Sequence, residues 1–409
     1  MKWETYMRRL FYIIIIAATV VACQEQKKPQ MTPWGTVMGD DGTAQQPSAF
    51  SLDDIIAQGE LIMLTETGPQ TYYDYHGHGM GQQFLLCENF AKQIGVKVRV
   101  EVCKDSIEML RKLHNGEGDV IANSLNINKI EEGGNKSDND SLNFTKEDFL
   151  TCGPQWVVSS TNKPLAEALN KWYKPELLTE INNQQKTMLS MGGVQRRVYS
   201  PMLNSAKGII SKYDNLFMKY APVARLDWRL LAAQCYQESC FDPNAHSWAG
   251  ACGLMQIIPS TASYLGLSMS DIYSPEPNIA AAARLMQQLM AGYRDAASQN
   301  DRISFALASY NAGSHHIHDA QALARKYGGD PRRWNDVAPY VLKLQEPQYY
   351  RDPVVKYGYM RGSETVDYVS KIHARWAQYR GSAHGSTSVA GSTPVATPHA
   401  SKRKHKYKL

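Results

Sequence analysis

The hydrophobic pattern divides the chain into a first region of mixed strands and helices and a second region of helices only. In the first region, residues 61–64 and 120–122 are short apolar runs and residues 96–102 alternate, which predicts strands. Helical periodicity over Gln82–Ile94 and residues 107–113 separates these strands. Strands that alternate with helices predict an α/β unit built on a parallel sheet.

After residue 160 the apolar positions recur mainly at helical spacing. The sequence predicts helices over residues 165–173, 176–188, 205–220, 260–265, 279–293, 335–344 and 364–379, and a further one with Asp301 as its N-cap. Gly313 follows the last periodic residues of that helix, a position where glycine often ends helices. Residues 222–380 are therefore predicted to form an all-α domain, whereas the helices before residue 190 belong to the α/β region.

The segment between residues 226 and 256 carries the most unusual pattern. Asp227 is a candidate helix N-cap, and Glu238 shares a helix face with Leu230, Leu231 and Cys235. Burial of a carboxyl group on an apolar face raises its pKa and favours the protonated acid. The pattern alone fits an exposed helix glutamate equally well. A turn and a loop of small residues follow Glu238.

The first 22 residues are predicted to be a signal peptide. Arg8 and Arg9 precede an apolar run that is short for a membrane span. The run ends at Val20-Val21-Ala22-Cys23, which resembles the lipobox of bacterial lipoproteins. The resemblance implies cleavage before Cys23 and attachment of lipid to that residue. An uncleaved anchor helix is the alternative interpretation.

Composition and charge limit the classes of function. The chain has 409 residues, enough for two or three domains, with 43% hydrophobic residues and a net charge of +5. The basic residues of the C-terminal tail account for this charge, so the folded part is near neutral and nucleic-acid binding is not indicated. Residues 23–56 are predicted to be a flexible tether, and residues 381–409 a disordered basic tail.

The cysteines predict an oxidising compartment. The chain has seven cysteines, so that six, an even number, remain once Cys23 is lipidated. Cys240 and Cys252 flank the loop after Glu238 and are the predicted disulfide pair. Six free thiols that pack as small apolar groups are the alternative.

Residues 57–190 resemble one lobe of the periplasmic solute-binding proteins. The resemblance depends on Gly59-Glu60-Leu61 at the start of a strand, on residues 69–73, on the helix before Gly95, and on residues 116–120. Too few residues follow to build a second lobe of normal size. The resemblance therefore implies a truncated α/β domain, with a muropeptide as a candidate ligand and a purely structural module as the alternative. Residues 191–221 are predicted to be a linker helix, with a hinge at residues 191–193.

Residues 222–380 resemble the soluble-lytic-transglycosylase (SLT) family of lysozyme-like, goose-type folds. Four motifs occur in the family's order: Glu238-Ser239, Gly253-Leu254-Met255-Gln256, residues 308–313 and residues 364–369. The residues before Glu238 and the solute-binding-like domain are closer still to the membrane-bound lytic murein transglycosylase F branch. The fold class is thus an α/β solute-binding-like lobe followed by an all-α lysozyme-like catalytic domain.

The family resemblance implies a chemistry for this domain. Family members cut the β-1,4 bond between N-acetylmuramic acid and N-acetylglucosamine in peptidoglycan without water and leave a 1,6-anhydro ring. Glu238 would act first as acid and then as base. The motifs assign the sugar groove to Ser247, Met255, Gln256, Tyr310, Asn311 and Glu364. Packing in the core is the alternative for Tyr310 and for Met255.

No metal or cofactor is predicted. His315, His316 and His318 are clustered in the sequence, but adjacent and i+2 residues do not share a helix face. The predicted partners are peptidoglycan glycan strands and, through the lipid anchor, a membrane. Gln24 after the lipidated cysteine places the chain, under the usual sorting pattern, on the periplasmic face of the outer membrane of a Gram-negative bacterium. The alternative functions are a hydrolysing goose-type muramidase and a non-catalytic peptidoglycan- or solute-binding lipoprotein.

Overall fold

The structure is a computed structural model that describes residues 50–125, 144–190 and 194–382. The predicted signal peptide with Cys23, most of the tether, the hinge at residues 191–193 and nearly all of the basic tail lie outside the described residues. Among the residues it does describe, no helix is both long enough and apolar enough to cross a membrane.

The first half of the described chain forms the α/β lobe. Its elements in chain order are α1 (Leu52–Gln58), β1 (Glu60–Thr65), β2 (Tyr73–Tyr75), β3 (His78–Met80), α2 (Gln82–Ile94), β4 (Lys97–Val102), α3 (Ser106–His114), β5 (Val120–Ile121), a 3-10 turn (Lys146–Asp148), β6 (Phe149–Cys152), β7 (Trp156–Ser159), α4 (Lys163–Trp172) and α5 (Glu176–Leu189). The predicted alternation of strands and helices is confirmed.

Five strands form the main sheet, in the order β4-β1-β5-β7-β6. β1 is parallel to β4 and β5, but β7 is antiparallel to β5 and to β6. The three strands of the predicted strand–helix–strand–helix–strand unit, β1, β4 and β5, are therefore parallel as predicted. The antiparallel hairpin of β6 and β7 extends the sheet at one edge. Both faces of β1 are covered: Leu61 and Met63 pack in one core cluster and Leu64 in the other.

The hairpin β2–β3 departs from the sheet and packs on the second domain. Tyr73 and Met80 are buried in the core of the helical domain rather than in the lobe. Arg351 of the helical domain also forms an ion pair with Glu66 at 3.1 Å, and the Tyr359 amide donates to Thr67 at 3.0 Å. The predicted boundary after residue 190 divides the two domains in the sequence, but residues on its two sides are in direct contact in the structure.

The prediction of a linker helix over residues 191–221 is wrong for most of its length. The described part begins with β8 (Val194–Gln195), and helix α6 spans only Asp214–Tyr220. The Asp214 carboxylate accepts hydrogen bonds from the amides of Ile210 and Ser211 at 2.9 and 2.8 Å. This turn replaces the first part of the expected helix, since Asp side chains compete for nearby backbone amides.

The helical domain follows. Its elements are a 3-10 turn (Ala221–Ala224), α7 (Trp228–Ser239), β9 (His246–Ser247), α8 (Pro259–Tyr264), α9 (Pro275–Gly292), α10 (Gln299–Ala312), α11 (Ser314–Lys326), α12 (Trp334–Lys343), α13 (Pro347–Tyr350) and α14 (Gly362–Ser382). The prediction of an all-α domain is confirmed apart from the short β9. Ser298, not Asp301, is the N-cap of α10, because its hydroxyl accepts the Asp301 amide at 3.1 Å.

Helix α7 lies at the centre of this domain. The residues from Trp228 to Cys235 are buried on every side, and α7 packs against α6 and along α14. A helix that is buried all round can carry a polar group into the interior. Glu238 stands in the last turn of this helix.

Candidate active site

The N-terminus of helix α7, which carries Glu238, is held in place by its N-cap residue. The Asp227 carboxylate caps the helix by accepting the Arg229 amide at 3.0 Å, as predicted, and also accepts the Trp376 indole N–H at 3.1 Å. The helix ends where Cys240 takes a left-handed conformation with φ of 52°. Since its start is tied to α14 and its body is buried, the position of Glu238 is determined by packing.

The Glu238 carboxyl group faces two tyrosines. The Tyr368 hydroxyl of α14 donates to Glu238 Oε1 at 2.5 Å, and Gln234 Nε2 donates to the Tyr368 oxygen at 3.3 Å. Burial raises the pKa of Glu238 from 4.5 to about 7, against the opposing effects of the Tyr368 hydrogen bond and the Arg196 charge. The carboxyl group is thus poised to hold or release a proton near neutrality.

The loop after α7 forms one wall of the site. Phe241 and Gln256 both have positive φ, at 64° and 48°, as does Cys240. Left-handed conformations at non-glycine residues are strained and must be held by their surroundings. Asp242, which is buried, holds part of this loop by accepting the Arg197 and Asn244 amides at 2.6 and 3.1 Å.

Asn278 of α9 fixes the other end of the loop. Its side chain is fully buried, accepts the Met255 amide at 2.9 Å and donates to the carbonyls of Cys252 and Ile272 at 3.2 and 2.7 Å. Gly253 allows this approach, because its φ is +77° and a Cβ there would lie 2.6 Å from Asn278 Nδ2. The Gly253–Gln256 motif therefore depends on a residue outside the motif.

Ser247 and Gln256 line the cavity in front of Glu238. The Ser247 hydroxyl accepts the Ala251 amide at 3.0 Å. The side-chain nitrogen of Gln256, Nε2, donates to the main-chain carbonyls of Ala245 and Gly253. The side-chain oxygen of Gln256 is buried and has no hydrogen-bond partner in the described structure. A buried acceptor without a partner, at the wall of a cavity, is available to a donor on a ligand.

Tyr310 and Asn311 stand at the end of α10 and also line the cavity. The Tyr310 hydroxyl donates to the Met255 carbonyl at 2.7 Å, so this side chain holds the loop as well as facing the cavity. Asn311 Oδ1 accepts the Thr365 hydroxyl at 2.8 Å. The two predicted roles of Tyr310, packing and groove lining, are thus compatible.

The Met255 side chain is placed differently from the prediction. It is 0% exposed and belongs to the core of the helical domain. The prediction that Met255 packs on a sugar face is therefore wrong in this structure, because the main chain of Met255 is held by Asn278 and Tyr310 with the thioether turned inward. The alternative of core packing is the correct one.

Glu364 belongs to a polar cluster where the two domains meet. It forms an ion pair with Arg361 at 2.6 Å, and the Arg361 guanidinium lies 5.6 Å from the centre of the Tyr75 ring. Burial and the adjacent Glu364 carboxylate raise the pKa of Tyr75, whose hydroxyl is hydrogen-bonded to Glu364. The Tyr75 ring also stacks on Trp248 at 6.0 Å. The hairpin of the α/β lobe thus reaches the predicted substrate-binding residues.

These residues surround one cavity of about 630 Å³. Its walls include the end of α5, the β2–β3 hairpin, the segment from Val194 to Arg196, the end of α7 with the loop after it, and parts of helices α8, α9, α10 and α14. The structure brings Glu238, Ser247, Gln256, Tyr310, Asn311 and Glu364 together around it. A volume of this size accommodates more than one sugar ring.

The predicted disulfide between Cys240 and Cys252 is not formed. Both residues are buried free thiols, as are the four other cysteines of the described ranges. The Cys252 thiol lies 3.2 Å from the Gly250 carbonyl and 3.2 Å from the Tyr273 hydroxyl, while Cys240 contacts Tyr236 on α7. Because the two side chains have different partners, the disulfide prediction is wrong in this structure.

The clustered histidines lie away from the cavity, on α11. His316 is buried, which lowers its pKa to about 4, and the His315 ring lies 4.3 Å from the Tyr357 ring. Across residues 50–125, 144–190 and 194–382, no three His, Cys, Asp or Glu side chains form a group able to hold a metal ion.

Sequence reasoning did not identify four residues of this site. Tyr368 lies within a quoted motif, but its hydrogen bond to Glu238 could not be read from spacing. Asn278, Arg196 and Tyr75 lie outside the motifs altogether. A polar residue on the otherwise apolar face of α9 was the available signal for Asn278.

The comparison with protein-family models agrees with the predicted domain. Residues 215–332 match the model described as "Transglycosylase SLT domain". The match covers Glu238 and the residues from Ser247 to Asn311, whereas Glu364 and Tyr368 lie beyond it.

Curated relatives cover more of the chain. The membrane-bound lytic murein transglycosylase F of Shewanella frigidimarina (strain NCIMB 400) is 34% identical over 53% of this chain and 45% of its own length. The protein of the same name from Pseudomonas putida (strain GB-1) is 30% identical over 72% of this chain and 60% of its own. The predicted resemblance to this branch is confirmed, and the chain spans about half the length of the curated relatives it matches.

Among solved structures, the 70 kDa soluble lytic transglycosylase of Escherichia coli is similar to part of the chain. The identity is 24%, and the alignment covers 41% of this chain and 24% of that one with a TM-score of 0.29.

Proposed function

We propose that this chain, whose residues 215–332 match the transglycosylase SLT domain model, is a peptidoglycan lytic transglycosylase. It would cleave the β-1,4 bond between N-acetylmuramic acid and N-acetylglucosamine without water and leave 1,6-anhydromuramic acid ends. The observation that carries the proposal is Glu238, a carboxyl group with a pKa of about 7 that faces a cavity large enough for sugars.

The reaction needs one group that acts as acid and then as base. Protonated Glu238 donates its proton to the glycosidic oxygen as the bond to C1 breaks, and becomes a carboxylate. That carboxylate then removes the proton of the C6 hydroxyl as its oxygen attacks C1. The proton returns to Glu238, and no water is consumed. A pKa near 7 suits both halves of such a cycle.

The surroundings of Glu238 support both protonation states. Burial favours the neutral acid, and the hydrogen bond from Tyr368 at 2.5 Å stabilises the carboxylate that forms after the first step. Tyr310 and Tyr368 are themselves neutral, because burial raises the pKa of each hydroxyl well above its usual value. They can therefore donate hydrogen bonds but do not compete as acids.

Hydrolysis by a goose-type muramidase remains the alternative within enzymes. A hydrolase of the usual kind would use a second carboxylate to activate water. Besides Glu238, the cavity is lined by Asp74, Glu364 and Asp367. Glu364 is paired with Arg361, Asp367 with Lys371 at 2.6 Å, and Asp74 accepts the Gly77 amide. These contacts favour the one-carboxylate route.

Digestion of purified sacculi followed by mass analysis of the products tests the proposal. We expect fragments one water lighter than the reducing-end products of hydrolysis. Reducing-end muramic acid as the sole product would replace the transglycosylase with a muramidase. Glu238→Gln should abolish cleavage while the fold is kept. If wild type and variant digest sacculi equally, the role of Glu238 is refuted and a binding protein becomes the better description.

We also propose that lipid on Cys23 anchors the chain to the periplasmic face of the outer membrane of a Gram-negative cell. Cys23→Ser should then move the full chain from the membrane fraction to the soluble periplasmic fraction and remove labelled fatty acid. Gln24→Asp is the matched variant: it should keep the lipid but change the membrane in which the chain is found. Membrane attachment without Cys23 would refute the anchor.

For the α/β lobe we propose a muropeptide as ligand, because its hairpin lines the same cavity as Glu238. Calorimetric titration of the full Glu238→Gln chain with the sugar-free wall peptide tests this binding separately from cleavage. The absence of heat would leave the lobe with a structural role.

A further inference from the structure

A short segment before the family-matched domain completes the catalytic site. Val194 and Gln195, which form β8, pair with Ser247 and His246 of β9. Two residues after Gln195, the amide of Arg197 donates to the buried Asp242 carboxylate at 2.6 Å. The segment is therefore bound to the loop that carries the cavity wall and lies against the end of helix α7.

Arg196 connects this segment to the helix that bears Glu238. Its Nη1 atom donates to the Glu238 carbonyl oxygen at 2.8 Å and lies 3.5 Å from the Gln237 carbonyl oxygen. The last carbonyls of a helix lack partners within the helix, and a positive charge at this end is favourable. Arg196 also lines the cavity, so the residue that holds the helix end borders the space in front of Glu238.

We propose that Arg196 is a positioning residue of the catalytic site, which anchors the end of α7 and holds a fixed positive charge beside the Glu238 carboxyl group. The proposal rests on the acid–base role of Glu238 proposed above. Arg196 touches the main chain of Glu238 rather than the reacting atoms, so its effect is exerted through Glu238.

The groups around Glu238 show why this charge matters. Tyr368 faces it from α14 and Tyr310 from α10, while Cys235 lies one turn before it on α7. Burial raises the pKa of these three groups well above their usual values, so all three are neutral when the enzyme works. Asp74, Glu364, Asp367 and Lys371 also line the cavity, the last three of them in ion pairs. Arg196 is the charged group that acts on Glu238, and its charge favours the carboxylate form.

The expected signature is a movement of the pH profile. The first step needs protonated Glu238, so kcat/KM falls on the alkaline side as the pH passes the pKa of Glu238. Loss of the Arg196 charge raises that pKa and moves the alkaline limb to higher pH, by on the order of half a pH unit. Loss of the anchor to the helix end should also lower kcat by roughly tenfold.

The experiment compares four forms of the full chain: wild type, Arg196→Gln, Arg196→Lys and the control Arg197→Gln. The exposed Arg197 side chain does not line the cavity, and its amide contact to Asp242 survives the substitution. We expect the alkaline limb to move in Arg196→Gln only. Arg196→Lys should keep the limb near its wild-type position with a reduced kcat, because it retains the charge but not the planar donor group.

An alkaline limb that does not move in Arg196→Gln, or that moves as far in Arg197→Gln, would overturn the proposal. If Arg196→Gln does not fold at the assay temperature, Arg196→Met keeps the aliphatic stem and takes the same test. Anhydro products from the wild type show that the proposed function holds whatever the variants do. Their absence refutes that function, and carboxyl titration of the folded variants by NMR then decides whether Arg196 shifts the pKa of Glu238.

Discussion

Replacing Glu238 with Gln should stabilise the protein increasingly as the pH rises from acidic to neutral values. Burial raises the pKa of this carboxyl group from 4.5 to about 7. Below the lower value the group is protonated in both folded and unfolded chains, so it adds no pH dependence. Between the two values the unfolded chain releases the proton while the folded chain keeps it, and the folded state loses stability as the pH increases. Above about 7 the loss levels off.

The size of the effect follows from the difference between the two pKa values. One pKa unit corresponds to about 1.4 kcal/mol, so a rise from 4.5 to about 7 costs the folded wild type about 3 kcal/mol at alkaline pH. The Gln variant carries no proton to lose. Any constant effect of the substitution on packing is the same at each pH and cancels when the pH values are compared.

The assay is urea unfolding of the full-length wild type and variant at several pH values between about 4 and about 8. The free energy of unfolding of the variant, relative to that of the wild type, should rise by about 3 kcal/mol across this range. Glu180→Gln, which removes an exposed carboxylate of α5, is the control and should follow the wild type. A Glu238→Gln variant whose advantage is the same at every pH would show that Glu238 is not a buried acid, and the acid–base argument would lose its basis.

Three further substitutions test how the site is held. Asn278→Leu should cost about 2–4 kcal/mol and most of the activity, because it leaves the Met255 amide and the Cys252 and Ile272 carbonyls without partners; chemical unfolding that matches the wild type would contradict this. Gly253→Ala should lower the free energy of unfolding by about 2 kcal/mol or more, because φ at Gly253 is +77° and the new Cβ would contact Asn278. Gly266→Ala is the control, since Gly266 also has a positive φ but has open space where a Cβ would lie. An equal loss of stability in both variants would show that backbone strain, and not the contact with Asn278, causes the effect. Tyr368→Phe should move the alkaline limb of the kcat/KM profile to higher pH, because the lost hydrogen bond stabilised the Glu238 carboxylate. An unchanged limb would show that Tyr368 does not affect the pKa of Glu238.

The predictions from sequence succeeded where one periodicity was repeated over several turns. Gln82–Ile94 was predicted with its bounds, and α7 with its N-cap Asp227, because buried faces and capping residues are local signals. They failed where a local polar contact replaced the regular pattern. The Asp214 side chain captures the amides of Ile210 and Ser211, so the helix expected from residue 205 begins nine residues later.

The candidate site was predictable only in part, for a different reason. Glu238, Gln256, Tyr310, Asn311 and Glu364 stand in the four motifs and Ser247 lies between two of them, and the structure brings all six to one cavity. Tyr75 and Arg196 reach the same place through contacts between segments far apart in the chain. Nothing in their local sequence distinguishes them from surface residues, so their position depends on tertiary packing. The prediction for Met255 was wrong for another reason. A place in a motif does not say whether the side chain or the main chain of a residue faces the site.

The proposed role of Glu238, first as acid and then as base, limits the environments in which its carboxyl group can be placed. Burial alone would push the pKa of Glu238 upward and make it too weak an acid, whereas charge and hydrogen bonds alone would keep it ionised. The structure balances the two, with burial in α7 opposed by the Tyr368 hydroxyl and the Arg196 guanidinium. These two opposing groups come from α14 and from the segment at β8, both outside residues 215–332. We infer that the unit needed for catalysis extends from Val194 into α14, and that the family-matched range by itself would contain the acid without the groups that set its strength.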